Sequence, residues 1–276
     1  MTAEKTYIVK KKSDTEVNIF KKGNKGYTNY CYKLVTIPDI NLHTWKMDHV
    51  HVSDASFADL YEVSNSGADQ EGVLKIEGEA DYIGGVHGDE QYTDMVLFID
   101  GAETTLSEMN ATVYCDEIKF CVASDIFHAN ASCEDDPVFK KTKMTTFDKD
   151  GVHVQNTWVP QEVVTLTHVR GILLSVSKSV ITRYFDSHVE RFPLAVPAVS
   201  SVTSRLIANA DMTDMHFYGL IRARNWCGER GGDPSMYRAY LADFGSRLKS
   251  YFDSYTGYTT TIGEKIYCEN NFLIEY

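Results

Sequence analysis

From Val73 onward the chain keeps returning to one pattern, short runs of alternating apolar and polar residues rich in β-branched and aromatic side chains. VLKIEGEADYIGG, YTDMVLFIDG, ATVYCDEIKFCVASDIF, VFKKTKMTTF, GVHVQNTWV, VVTLTHVRGILLSVSKSVITRYF and MHFYGLIRARNW all carry it. A period of two buries one face of a strand and wets the other, which no helix can use. Asp148-Lys149-Asp150-Gly151 separates two of these runs and reads as a hairpin turn. Seven or more strands at short spacing predict a mainly β chain, an antiparallel β-sandwich of jelly-roll type. Only 6 prolines against 17 tyrosines and 13 phenylalanines agree with that expectation.

Residues 1–55 are Lys-rich at first and then β-like, so two parts are expected: a 1–55 N-terminal β-like segment and a 56–276 sandwich domain. Asp54 before ASFADLYEV predicts a short capped helix with Phe57, Leu60 and Tyr61 on one face. A longer helix is expected in the C-terminal region. Asp233 would cap it, Pro234 would suit its first turn, and Met236, Tyr240, Phe244, Leu248, Tyr251 and Tyr255 follow at helical spacing.

With 39 acidic and 27 basic residues the net charge is −12, which disfavours nucleic acid and anionic membranes as partners. No apolar run is long enough for a signal-peptide core or a membrane span. A soluble protein is expected, either virion-associated and acting extracellularly or cytoplasmic, without membrane insertion. The six cysteines form no CxxC pair, and free thiols are the expectation.

Chemistry concentrates in Tyr82-Ile-Gly84-Gly85-Val-His87-Gly88-Asp89-Glu90-Gln-Tyr92. Three glycines around one histidine allow unusual backbone angles and close approach of a ligand. His87 and Glu90, spaced HxxE, would meet one metal ion from a turn but point apart from a strand. The remaining alternatives are a bulge in which the two satisfy each other and a metal-free polar site using Tyr82, Glu90 and Tyr92.

Read as a strand, MHFYGLIRARNW puts His216, Tyr218, Leu220, Arg222, Arg224 and Trp226 on one face and mostly apolar residues on the other. Aromatic rings stack on pyranose faces and guanidinium groups pair with carboxylates. Two arginines on one face of an acidic protein therefore point to an anionic sugar. His168 and Arg170 share a face in THVRG, and Arg183, Tyr184 and His188 follow in TRYFDSH; both segments are further candidates.

The segment GGVHGDE resembles the zinc-binding segment of aspartoacylase and carboxypeptidase-like deacylases. That likeness implies His87 and Glu90 as zinc ligands, with Asp89 behind them and zinc as an alternative to having no cofactor. More broadly, the order of parts resembles phage tail and receptor-binding proteins that carry a jelly-roll, polysaccharide-lyase-like domain. Those parts are YIGGVHGDE then MVLFIDG, the FDKDGVHV hairpin, VRGILLSV and the closing TIGEKIYCENNFLIEY. This resemblance implies a concanavalin A-like sandwich that recognises an acidic surface polysaccharide and cleaves it by β-elimination. His87, His216, Tyr218 and Arg222 are the catalytic candidates it implies, with Tyr82, Glu90, Tyr92, Arg224 and Trp226 holding substrate. The alternatives are a non-catalytic glycan-binding adhesin and a zinc-dependent hydrolase. Tail proteins are often homo-oligomers, although no coiled-coil heptads occur here.

Overall fold

The structure, a computed structural model, describes residues 4–64, 72–131, 135–177, 183–186, 189–191, 207–213, 218–228, 238–254 and 257–275. Strands dominate them. The N-terminal part contributes β1 (Tyr7–Ser13), β2 (Glu16–Lys22), β3 (Tyr27–Ile37), β4 (Leu42–Ser53), β5 (Asp59–Ser64) and β6 (Val73–Ile76). Next come β7 (Glu90–Ile99), β8 (Ala102–Thr104), β9 (Thr112–Cys115), β10 (Ile118–Ile126), β11 (Phe139–Asp148) and β12 (Gly151–Pro160). The remainder are β13 (Thr165–Ser177), β14 (Arg183–Asp186), β15 (Val189–Arg191), β16 (Ile207–Thr213) and β17 (Tyr218–Gly228). Last are β18 (Arg238–Phe244), β19 (Arg247–Ser254), β20 (Tyr258–Thr259) and β21 (Ile266–Glu275).

One large sheet runs β15-β14-β16-β17-β21-β12-β11-β10-β7-β4-β3-β2-β1-β9, with β5 added to β4 and β8 to β7. A smaller sheet runs β18-β19-β13-β20, with β6 on β13. Pairing is antiparallel except where β4 meets β7, parallel over Leu42–Glu90 and His43–Gln91. The large sheet bends back on itself so that β1–β3 cover β10, β11, β12 and β21. Tyr32 stacks on Phe120 at 4.1 Å, and Tyr30 meets Phe147 at 5.4 Å and Phe272 at 6.2 Å. The Tyr7 hydroxyl donates to the Asp148 carbonyl at 2.7 Å, and Thr28 Oγ1 to the Ile274 carbonyl at 3.1 Å. A mainly β, sandwich-like molecule results, its principal core running from Tyr7 to Ile274. The smaller sheet closes one end over a second core of Leu74, Ile76, Ile83, Ile126, Phe139, Trp158, Leu166 and Val169. No helix among the described residues is long and apolar enough to cross a membrane.

The expected C-terminal helix is a hairpin instead. β18 and β19 pair from Arg238–Asp253 to Phe244–Arg247, and Gly245 takes the turn at φ +67°. Residues four apart share a face on a helix and on a strand alike, so Tyr240 and Phe244 on β18 satisfied both periods, whereas Leu248 lies across the turn on β19, opposite Asp243. Asp233, Pro234, Met236 and Tyr255 lie outside the described residues. The helix expected after Asp54 is also absent: a five-residue turn leads straight into β5, which pairs with β4. The Asp148–Gly151 hairpin forms as expected. A Cβ on Gly151 would stand 2.5 Å from the Phe272 carbonyl oxygen, so this turn residue also lets β21 lie close.

Candidate functional site

The GGVHGDE segment occupies the short parallel seam between β4 and β7. Gly84, Gly85, Gly88 and Asp89 take φ of +82°, +56°, +93° and +54°, winding a 3-10 turn over Gly85–His87. A Cβ on Gly88 would fall 1.9 Å from the Ile40 carbonyl oxygen. Asp89 N and Glu90 N then donate to the Ile40 and Asn41 carbonyls at 2.8 and 3.2 Å, which begins the parallel pairing. Gly88 thus serves close backbone approach to Ile40 as well as the turn.

Glu90 points inward. Its Oε2 accepts from Lys141 Nζ at 2.9 Å and Gly85 N at 2.8 Å, and its Oε1 from Thr44 Oγ1 at 3.0 Å. Lys141 Nζ also donates to the Gly72 carbonyl at 3.1 Å, and both charged side chains are almost fully buried. Burial alone would raise the Glu90 pKa, but Lys141 and Lys143 outweigh it and hold the carboxyl well below its ordinary range. These surroundings do not fit zinc, because a metal at Glu90 would have to displace a buried ammonium. Among the described residues no three His, Cys, Asp or Glu side chains are grouped to hold a metal ion.

His87 points the other way. Its Nδ1 lies 3.3 Å from Asp81 Oδ1, and its ring is 5.1 Å from that of Tyr82. Tyr82 is the centre of a cationic group. The Arg170 guanidinium carbon stands 4.3 Å from its ring centroid, Lys75 Nζ 5.1 Å, and the His168 ring 5.8 Å. A register shift in β13 between Leu166 and His168, where it pairs with β6, sets His168 opposite Lys75. The group therefore joins a phenol, a guanidinium, an ammonium and two imidazoles. An Nδ1 proton shared with Asp81 would leave Nε2 as the basic nitrogen of His87.

A further imidazole, that of His128, is held between two carboxylates. His128 bonds Glu79 through Nδ1 and Glu162 through Nε2, joining the loops after β6, β10 and β12. Burial lowers the His128 pKa, yet the two carboxylates prevail and raise it overall. Asp89 lies close enough that Glu79 and Asp81 join burial in raising its own pKa, against hydrogen bonds from Asn130 and Asn41.

The other expected residues fall elsewhere. Tyr92 lies against His43 at 4.9 Å. Tyr218, Arg222, Arg224 and Trp226 fall at alternate positions of β17, which forms as a strand as expected, and His216 lies outside the described residues. β21, β12, β11 and β10 separate β17 from β7. At ~4.8 Å per strand that is about 24 Å along the sheet. Lys75 had no sequence signal, because His168 and Arg170, which complete the group around Tyr82, come from a strand about 90 residues away. His168 and Arg170 were visible as a shared strand face.

No family model matches the chain, and no curated protein matches it. Among solved structures, the crystal structure of HI1317 aligns over 95% of this chain and 94% of that one, at 9% identity and a TM-score of 0.33. A likeness that low supports no statement about this protein's fold or chemistry.

Proposed function

We propose that the Tyr82 group recognises an acidic polysaccharide and is arranged to cleave it by β-elimination. The supporting observation is the Arg170 guanidinium on the Tyr82 ring with two imidazoles beside it. Tyr82 offers a face for a sugar ring, and Arg170 and Lys75 place positive charge where a uronate carboxylate would sit. In elimination the proton beside the carboxylate leaves for a base, a carbon–carbon double bond forms, and the glycosidic oxygen departs with a proton. His87 suits the base, since an imidazole works near neutral pH without large tuning, and the Tyr82 hydroxyl suits the acid. Neutralising the carboxylate stabilises the carbanionic transition state, the role of Arg170. Arg170 here takes the part expected of Arg222, and Tyr82 that of Tyr218.

Incubation with a panel of uronate and neutral polymers tests this reading. Uronate polymers alone should yield unsaturated product absorbing in the ultraviolet, and His87→Ala and Arg170→Ala should lower its rate about 100-fold or more. Binding of acidic glycans without any product would leave an adhesin and remove the chemistry. Loss of neither binding nor product in Arg170→Ala would overturn the site.

A further inference from the structure

Of five described non-glycine residues with positive φ, four are Asn or Asp, and the fifth is Phe57 at +68°. Asparagine and aspartate tolerate that conformation, whereas a bulky side chain resists it. The turn that enforces it is tightly built. Asp54 Oδ1 accepts from Ser56 N at 2.7 Å, Ser56 Oγ at 2.6 Å and Ala58 N at 3.1 Å, while Phe57 N donates to the Asp54 carbonyl at 3.0 Å. Ser53 Oγ ties the base of the turn to Asp59 Oδ1 at 2.7 Å. Its product is the placement of one ring. Phe57 lies 4.6 Å from Tyr27, nearly parallel at 21°, and 4.9 Å from Phe20 at 75°.

Register puts Lys10 beside these rings. Ile8 pairs with Phe20, Lys10 with Asn18, and Lys22 with Tyr27, so Lys10, Phe20 and Tyr27 share the outer face of β1–β3. Lys10 Nζ lies 3.2 Å from the Phe57 ring centroid and 5.3 Å from that of Phe20. The ammonium occupies a corner walled by two aromatic faces, with Tyr27 backing one of them. Desolvation there, and then the charge of Lys12, lower its pKa.

We propose that this corner is a binding site for a quaternary ammonium group of the choline type, with Lys10 as the tethered occupant that the ligand displaces. A primary ammonium is strongly hydrated and finds no acceptor for its N–H groups on a ring face. A quaternary ammonium has no N–H to satisfy and is weakly hydrated, so the same faces favour it. The strained turn supplies pre-organisation, and strain of this kind gathers at ligand clamps. Lys10, held at high effective concentration, keeps the affinity of the intact site low. This site is separate from the Tyr82 group and does not rest on the polysaccharide reading.

Saturation-transfer NMR on the methyl protons of choline, with sodium chloride at equal ionic strength as control, tests it. The wild type should give a weak, saturable signal, and Lys10→Ala should tighten it by about tenfold or more. Phe57→Leu keeps the apolar cover without the π face and should abolish it. A folded Lys10→Ala protein without a saturable signal, or Phe57→Leu binding as well as Lys10→Ala, overturns the proposal. The wild type provides a check that needs no variant. Displacement should speed acetylation of Lys10 in saturating choline, read by mass spectrometry, and an unchanged rate overturns it equally.

Discussion

A carboxylate buried as deeply as Glu90 is stable only with its charge answered, and Lys141, Thr44 and the Gly85 amide answer it. Removing one partner is far worse than removing both, because a lone buried charge keeps its desolvation cost. Lys141→Met should therefore destabilise the protein by about 3–5 kcal/mol, and adding Glu90→Leu should recover much of the loss. Denaturant melts of the single and double variants check this. The pH dependence follows from the same pair. The folded pKa of Glu90 falls from the ordinary 4.5 to about 2, so the unfolded chain takes up the proton first. Its contribution is complete above the unfolded value and is lost as pH falls from about 4.5 toward 2, a decline that melts of the double variant should lack. His87 was legible from glycine density, and so was Glu90, but not their divergence. HxxE spacing says only that a turn can bring both side chains together, whereas the Lys141 ammonium on β11 decides where one of them goes.

At the scale of elements, the seam between β4 and β7 depends on two backbones meeting at Gly88 and Ile40. Gly88→Ala combines a positive φ of +93° with a Cβ 1.9 Å from a carbonyl oxygen, so it should prevent folding or cost more than about 3 kcal/mol. Gly101→Ala shares the positive φ, +80°, but has open space around it, and should cost only about 1 kcal/mol. Thermal melts of the two variants separate close approach from conformational strain. Alternation made β10, β11 and β12 legible, since each keeps one buried face against the core. β18 and β19 were not, because spacing by four carries no information about period, and only Gly245 hinted at a turn. Asp54 misled for a similar reason. Its carboxylate accepts the same local backbone amides whether a helix or a tight turn follows.

Over the whole molecule, the principal core gathers Tyr7 and Val9 from β1 with Phe272 and Ile274 from β21. Heating should therefore give one cooperative transition, with calorimetric and van't Hoff enthalpies in agreement. Deleting residues 1–22, which removes β1 and β2 from over β11 and β12, should leave no smaller folded protein; two separable transitions would contradict this. β21 lies between β12 and β17, with both of its edges paired. A ribosome makes β12 more than a hundred residues before β21, and β17 about forty before it. During synthesis both strands wait with an unpaired edge, a period in which neighbouring nascent chains compete for the same hydrogen bonds. The position of one strand thus makes the yield of this protein a matter of timing, set by how quickly β21 arrives relative to the chance meeting of two unfinished chains.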